Sequence, residues 1–303
     1  MKRESKNILL MTGLTLTVAM GWLGYGVRYD ALDAYREWRR GPIPDAVSRL
    51  DFERAVAGVP TAQAEGEAFI RLEMPEEEGG EVERGRGGED EQDIVAESTV
   101  EENETPKEEI ATSLGTPATI NLQIPFMVQA PNADWDELHD AACEEAAAIM
   151  LTAYYEGETE ITTDEAETRI MDAVTWEAET FGYHLDTTSA ETAQMIREHF
   201  GLANAQVFVI DSIDDIKERL AAGHPVIVPA YGKILGNPNF RNGGPLYHNL
   251  VIKGYTDTKF ITNDPGTRRG ADYVYDFETL WNAIHDWNGG DVPNGAKVMI
   301  AVQ

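Results

Sequence analysis

An acidic tract divides this chain of 303 residues and most restricts what it can fold into. Residues 65–109 contain 18 acidic and only 4 basic side chains, together with glycine pairs and almost no aromatic residues. A segment of this kind cannot bury enough apolar surface to offset the entropy cost of ordering it. We therefore expect an expanded linker there, with folded structure outside it.

The composition changes after this tract, and residues 118–303 have the hydrophobic pattern of a compact domain. A domain of this length can bury a substantial core. The domain is still acidic, with 29 acidic against 11 basic side chains, and the whole chain has a formal charge of −30. Because binding to phosphates or to an anionic membrane surface needs a basic face, we expect no nucleic-acid partner and no peripheral membrane partner. The acidity favours a basic or neutral substrate, or a saline habitat, without choosing between them.

The N-terminus predicts a membrane segment. Residues 8–27 are uncharged and follow Lys2, Arg3 and Lys6, and about 20 apolar residues span a bilayer core. We interpret residues 1–30 as an anchor or signal segment and favour a retained helix, because the run is longer than a typical cleaved signal core. The expected location is the cell membrane, with residues 118–303 outside the cytoplasm, or secreted if the segment is cleaved. Residues 31–117 are expected to form a stalk and the acidic linker.

The order of predicted elements indicates the fold class. Helices are predicted at residues 140–155, capped by Asp140 and ended by Gly157, and at residues 163–180, 189–200 and 212–222. Strands are predicted at residues 120–126 and 225–231, in a hairpin over residues 248–264, and near residues 297–302. Helices that come first, with an antiparallel sheet later, predict an α+β fold and not alternating βαβ units.

The chain has one cysteine, Cys143, which excludes an intrachain disulfide and a cysteine-cluster metal site. We predict no metal and no cofactor. Cys143 lies in the first turn of its predicted helix, where free backbone N–H groups and the helix dipole stabilise a thiolate. This is a position for a nucleophile, although a lone cysteine can equally be a small buried hydrophobe. Glu144 and Glu145 follow directly and would raise the pKa of the thiol unless they point into solvent.

The predicted hairpin carries a candidate general base for such a nucleophile. A three-residue turn at residues 256–258 would pair Tyr255 with Lys259, which places His248 diagonally beside Asp264. Both side chains then project from the same face, because side chains alternate along a strand. A histidine oriented by a carboxylate is the general base that a cysteine nucleophile needs.

Three stretches resemble the papain-like cysteine peptidases related to bacteriocin-leader peptidases, peptidase family C thirty-nine, in the soluble form found on bacterial surface proteins. They read IPFMVQAPNADWDELHDAACEEAAAIM, LGNPNFRNGGPLYHNLVIKGY and FITNDPGTRRG. The resemblance covers about residues 118–303 and implies a papain-like fold, with the nucleophile on a helix and the histidine and aspartate on a sheet. It implies that Cys143 is the nucleophile, His248 the general base and acid, Asp264 its orienting group, and Gln129 an oxyanion-hole donor. Where many relatives have Gly-Pro after the nucleophile, this chain has Glu144 and Glu145.

These observations together predict a membrane-anchored, extracytoplasmic cysteine peptidase that hydrolyses a peptide or protein substrate through a Cys-His-Asp triad and a thioester. Two alternatives remain open. One is a cell-wall peptide hydrolase or amidase of the same superfamily, and the other is a catalytically silent module that binds peptides or wall polymer. The sequence makes no prediction of the oligomeric state.

Overall fold

The computed structural model describes residues 34, 37, 38, 40–57 and 117–303. The described residues up to Glu53 and those from residue 117 onward belong to one compact unit. A second unit, Arg54–Gly115, is described only at residues 54–57. The predicted membrane segment and acidic linker therefore lie outside the described residues. Among the residues that are described, no helix is both long enough and apolar enough to cross a bilayer.

Except for the last one, the α-helices named here precede the central strands of the sheet in the chain. They are α1 (Arg49–Val56), α2 (Glu137–Ala141), α3 (Cys143–Glu156), α4 (Thr163–Thr180), α5 (Ser189–Glu198), α6 (Ile213–Ala221) and α7 (Phe277–Ala283). Helices α4, α5 and α6 each begin with a capping box, in which Thr162, Thr188 and Ser212 exchange hydrogen bonds with the acidic residue three positions later. The predicted bounds of α4 are confirmed, whereas α5 is capped by Thr188 and not by Ser189.

The strands form one antiparallel sheet. They are β1 (Ile120–Asn121), β2 (Ala205–Val209), β3 (Val226–Ala230), β4 (His248–Tyr255), β5 (Lys259–Asn263), β6 (Tyr273–Asp276) and β7 (Val298–Val302). Their order across the sheet is β2-β7-β3-β4-β5-β6, and β1 pairs with the C-terminal end of β4. Strands β2 and β6 are additions to the predicted set. The α+β class is confirmed by these helices and this antiparallel sheet.

Helix α3 lies at the centre of the packing. Its residues from Cys143 to Tyr154 are all buried, which matches a helix that contacts β4 on one side and α4 and α5 on others. Gly157 ends it in the left-handed conformation, with φ of 77°, as predicted. The predicted N-cap is wrong: Asp140 lies in the short helix α2, and Ala142 separates α2 from α3. The cysteine is nevertheless the first residue of α3.

The β4–β5 hairpin corrects the predicted turn. Tyr255 pairs with Phe260 and not with Lys259, so the loop is one residue longer than predicted. A register shift between Ile252 and Gly254 then restores the predicted pairing, because Ile252 lies opposite Thr262. The register shift adds one residue to β4 between the turn and Ile252. The predicted register therefore holds from Ile252 toward His248, at the other end of the strand.

Residues that we expected in the stalk contact the domain. Val47 forms a parallel bridge with Leu122, and the Asn121 side chain donates to the Pro44 carbonyl at 3.0 Å. The Arg49 guanidinium donates to the carbonyl of Tyr155 at the end of α3. The folded unit thus includes residues that precede the acidic linker.

Candidate active site

The imidazole of His248 and the carboxylate of Asp264 form a buried hydrogen bond. His248 is the first residue of β4, and Asp264 directly follows β5, which pairs with β4. The distance from His248 Nε2 to Asp264 Oδ1 is 2.8 Å, and neither side chain is more than 1% exposed. Because Nε2 donates to the carboxylate, Nδ1 is the ring nitrogen that can accept a proton.

Asp264 has four hydrogen-bond donors around its carboxylate. Besides His248, the Gly266 N–H donates to Oδ1 at 3.0 Å, while the Tyr275 hydroxyl at 2.5 Å and the Asn237 amide at 3.2 Å donate to Oδ2. Burial alone would raise the pKa of Asp264, but His248 and the other donors outweigh burial and hold this pKa below its usual range. The group beside the imidazole is therefore a stabilised anion.

Cys143 lies at the first position of α3 and is 4% exposed. Its Sγ donates to Glu144 Oε2 at 2.9 Å. Burial raises the pKa of the thiol well above its ordinary value, and the Glu144 and Glu145 carboxyl groups raise it further. The backbone N–H of Asn249, the residue after His248, opposes this rise. The N-terminus of α3 thus meets the start of β4, but the resting thiol is protonated.

A buried group of carboxyls lies behind the cysteine. Glu144, Glu145 and Glu177 are each at most 1% exposed. The sequence left open whether Glu144 and Glu145 point into solvent, and the structure shows that they do not. The carboxyl groups of Glu145 and Glu177 interact with each other, and elsewhere in the described part of the chain their oxygens have no hydrogen-bond partner. Burial raises the pKa of both groups, and the proximity of Glu145 raises that of Glu177 further. Burial and the proximity of Glu145 therefore favour a protonated Glu177 in the folded chain.

Gln129 connects three segments of the site. Its backbone N–H donates to the Pro265 carbonyl at 3.0 Å, next to Asp264. Its side-chain amide donates to the carbonyls of His139 and Asp140, at 2.8 and 3.1 Å, in the segment that leads to Cys143. The side chain therefore contacts the segment that leads to Cys143, and its amide group donates to two backbone carbonyls there.

Two glycines allow the close approach of segments around His248 and Asp264. A Cβ at Gly266 would lie 2.9 Å from Cε1 and 3.2 Å from Nε2 of His248, and one at Gly270 would lie 1.7 Å from the Asp264 carbonyl oxygen. The Phe240 ring covers His248 edge-on, with ring centroids 5.3 Å apart. The imidazole is thus confined by a backbone, a ring and its carboxylate.

A cleft opens beside His248. Its volume is about 240 Å³. The residues that line it come from the segment before α3, the loop between β3 and β4, and the turn after β5: Gln129, Trp135, Asp140, Lys233, Phe240, Arg241, Asn242, Gly244, Pro245, His248 and Gly266. Among the described residues, no group of three or more His, Cys, Asp or Glu side chains is arranged to hold a metal ion.

Sequence reasoning missed two residues that hold Asp264. Tyr275 lies on β6, and Asn237 lies in the loop between β3 and β4, so each reaches the carboxylate from a distant part of the chain. Asparagine in a Gly/Asn/Pro loop is ordinary for a turn, and a tyrosine on a strand is ordinary for a sheet. The sequence offers one signal for Tyr275, which is the alternation of Tyr273 and Tyr275 that is typical of a strand.

Comparisons with known proteins identify the family. A model of the Peptidase_C39 like family matches residues 121–288. The UDP-N-acetylenolpyruvoylglucosamine reductase of Limosilactobacillus reuteri subsp. reuteri (strain JCM 1112) is 27% identical in an alignment 168 positions long that covers 50% of this chain. The match spans 56% of that curated relative, so little more than half of its length is represented here.

A solved structure from Bacillus anthracis, described as that of a candidate C39-like peptidase, is also similar. The sequence identity is 18% and the TM-score 0.40, with 62% of this chain and 98% of that chain covered. The family model covers more than half of this chain and includes Cys143, His248 and Asp264. The chain therefore belongs to the Peptidase_C39 like family.

Proposed function

We propose that the domain is a cysteine peptidase in which Cys143, His248 and Asp264 act as nucleophile, general base and orienting anion. The observation that carries the proposal is the buried hydrogen bond of 2.8 Å between His248 Nε2 and Asp264 Oδ1. It fixes the tautomer that leaves Nδ1 unprotonated, beside a cleft wide enough for a peptide segment. The family to which the chain belongs supports the same chemistry.

The proposed reaction is acyl transfer to water. His248 Nδ1 takes the proton of the Cys143 thiol as the sulfur attacks the carbonyl carbon of a peptide. The C–N bond then breaks, and the imidazolium returns its proton to the leaving amine, which leaves a thioester on Cys143. His248 next removes a proton from water, the resulting hydroxide attacks the thioester, and the C–S bond breaks to release the acid. The imidazolium returns its proton to the departing sulfur, which restores the Cys143 thiol. Asp264 stabilises the imidazolium in both halves.

The oxyanion that forms in each step needs donors. The backbone N–H groups in the first turn of α3 point toward the N-terminus of the helix, where they favour negative charge. Gln129 would contribute only if substrate displaced one of the two backbone carbonyls that its amide now contacts. We assign Gln129 to this role as part of the proposal.

The test is turnover by the purified full-length chain. Wild type is incubated with an unfolded protein and, separately, with peptidoglycan stem peptides, and new termini are identified by mass spectrometry. We expect cleavage of the protein, with no cleavage by Cys143→Ala or His248→Ala. His184→Ala, a half-buried histidine outside the catalytic pair, is the matched control and should retain activity. Cleavage of stem peptides alone would replace the proposal with the wall-hydrolase alternative.

One observation favours the silent binding module as a second candidate. The thiol is hydrogen-bonded to Glu144 and has a raised pKa, whereas a nucleophilic thiolate needs a lowered one. Alkylation by iodoacetamide separates the two functions. A catalytic Cys143 reacts more slowly after His248→Ala, whereas the thiol of a binding module reacts at the same rate in both proteins.

We also propose that residues 8–27 hold the domain at the outer side of the cell membrane. The support is the uncharged run itself and the Lys2, Arg3 and Lys6 side chains before it. Protease added to intact cells should digest the domain. Protection from that protease, with digestion after lysis, would place the domain in the cytoplasm.

A further inference from the structure

Two cationic side chains line the cleft in a domain that is otherwise strongly acidic. Lys233 and Arg241 both border the cleft beside His248. They are 2 of the 11 basic side chains in residues 118–303, against 29 acidic ones. Asp140 also borders the cleft, and the Asp264 anion lies behind His248 in contact with its imidazole.

Among Asp140, Lys233 and Arg241, the charged side chains that line the cleft, one cation is in excess. Arg241 Nη1 lies 3.2 Å from Asp140 Oδ1 in an exposed ion pair, and its guanidinium is 5.9 Å from the centre of the Trp135 ring. Lys233 Nζ donates to the Asn242 carbonyl at 3.4 Å and forms no ion pair within the described chain. Because ions screen charges beyond about 8 Å at physiological salt, these neighbours decide the potential that a substrate group meets in the cleft.

The loop that carries both cations is held against the catalytic pair. Asn237 donates to Asp264, and Phe240 packs on the His248 ring. The ends of the loop are also in contact, since a Cβ at Gly244 would lie 2.6 Å from the Gly232 carbonyl oxygen. Lys233 and Arg241 are therefore attached to a backbone whose position is fixed relative to the reacting centre.

We propose that this cleft selects peptides with a carboxylate close to the scissile bond, and that Lys233 and Arg241 bind that carboxylate. The inference rests on the peptidase function proposed above and adds the substrate class. It replaces the expectation, drawn from total charge, of a basic or neutral substrate. The carboxylate is that of an aspartate or glutamate side chain, or of the C-terminus of the peptide.

The experiment compares matched peptides with the full-length protein. Pairs differ only by Glu or Gln at one position on either side of the cleaved bond, with an amidated C-terminus. A third peptide has Gln with a free C-terminus, which separates the two sources of carboxylate. We expect kcat/KM for the better Glu peptide to exceed that of its Gln partner about tenfold at low salt, and the ratio to fall as salt rises.

Variants assign the preference to particular side chains. Lys233→Gln and Arg241→Gln should each reduce the Glu/Gln ratio, and the double change to Glu at both positions should invert it. Asp140→Asn removes the carboxylate that competes for Arg241 and should raise the ratio, which loss of fold could not do. Lys217→Gln, on α6 outside the cleft, is the matched control and should leave the ratio unchanged.

The outcomes separate this inference from the proposed function. Turnover with equal rates on Glu and Gln peptides overturns the inference and leaves the peptidase function intact. If no peptide is turned over, the peptidase function fails, and calorimetric titration of the same peptides into Cys143→Ala decides the inference by itself. Tighter binding of a carboxylate peptide than of its neutral partner supports it, and equal binding overturns it.

Discussion

Replacing Tyr275 by phenylalanine tests the electrostatic description of the catalytic pair. The Tyr275 hydroxyl donates to Asp264 Oδ2 at 2.5 Å in a fully buried site. A hydrogen bond to a charged group contributes about 1.5–3 kcal/mol, whereas a neutral one contributes about 1 kcal/mol. Oδ2 keeps the Asn237 amide as a donor in the variant, so the carboxylate is not left without a partner on that side. At pH 7 we expect Tyr275→Phe to lower the free energy of unfolding by about 1.5–3 kcal/mol.

The loss should depend on pH in a defined direction. The folded-state pKa of Asp264 lies below its unfolded value, so its ionised form contributes stability above the unfolded pKa, and this contribution is lost as pH falls through the folded pKa. Removing the hydroxyl raises the folded pKa, because it takes away a hydrogen bond that stabilises the ionised carboxylate. The difference between wild type and variant should therefore shrink as pH falls through the folded pKa of the variant, toward the value of about 1 kcal/mol for a neutral hydrogen bond.

The assay is urea unfolding of both full-length proteins from pH 7 to pH 3, followed by circular dichroism. Tyr154→Phe is the matched control, because its hydroxyl donates to the Gly223 carbonyl at 2.9 Å and has no titrating partner. The control should lose the same stability at every pH in this range. A loss for Tyr275→Phe of only about 1 kcal/mol at every pH would mean that Asp264 is protonated in the folded protein, and would refute our account of the site.

Three further changes test the surroundings of the catalytic pair. Gly266→Ala places a Cβ 2.9 Å from the His248 ring and should abolish turnover, and retained kcat/KM would show that the ring can move aside. Glu144→Gln should shift the pH–rate profile for iodoacetamide alkylation of Cys143 to lower pH, because it removes a negative charge that raises the pKa of the thiol; an unchanged profile would leave burial and Glu145 as the causes. The folded-state pKa of Glu177 is raised above its unfolded value of about 4.3, so stability is lost as pH rises from there toward the folded pKa. Glu177→Gln should therefore raise the melting temperature at pH 8 and change it little at pH 4, whereas a lower value at pH 8 would indicate that the carboxylate has a partner.

The sequence predicted the parts of the site that depend on short-range periodicity. The alternation along the hairpin placed His248 and Asp264 on one face, and the structure brings them into contact. The turn itself was predicted one residue too short, because a β-bulge leaves no pattern that alternation can reveal. The predicted position of His248 is unaffected, because the extra residue of β4 lies between the turn and Ile252.

The parts that were not predictable depend on contacts between distant segments. Tyr275 and Asn237 reach Asp264 from β6 and from a loop between strands, and neither position is marked by composition or spacing. The burial of Glu144 and Glu145 was also undecided from sequence, since acidic residues at the start of a helix are normally solvated. The structure shows that α3 is packed on all sides, and both carboxyl groups are therefore buried.

The two halves of the site have opposite electrostatic character, and this indicates where reactivity is controlled. On the acceptor side, the Asp264 anion contacts the His248 imidazole and is stabilised by three further donors. On the donor side, burial and Glu144 oppose ionisation of Cys143. Transfer of the proton from sulfur to Nδ1 is therefore supported by the histidine half and resisted by the cysteine half. If the domain is a peptidase, replacing Glu144 should change the reactivity of the thiol more than strengthening any contact of Asp264, whose pKa is already low.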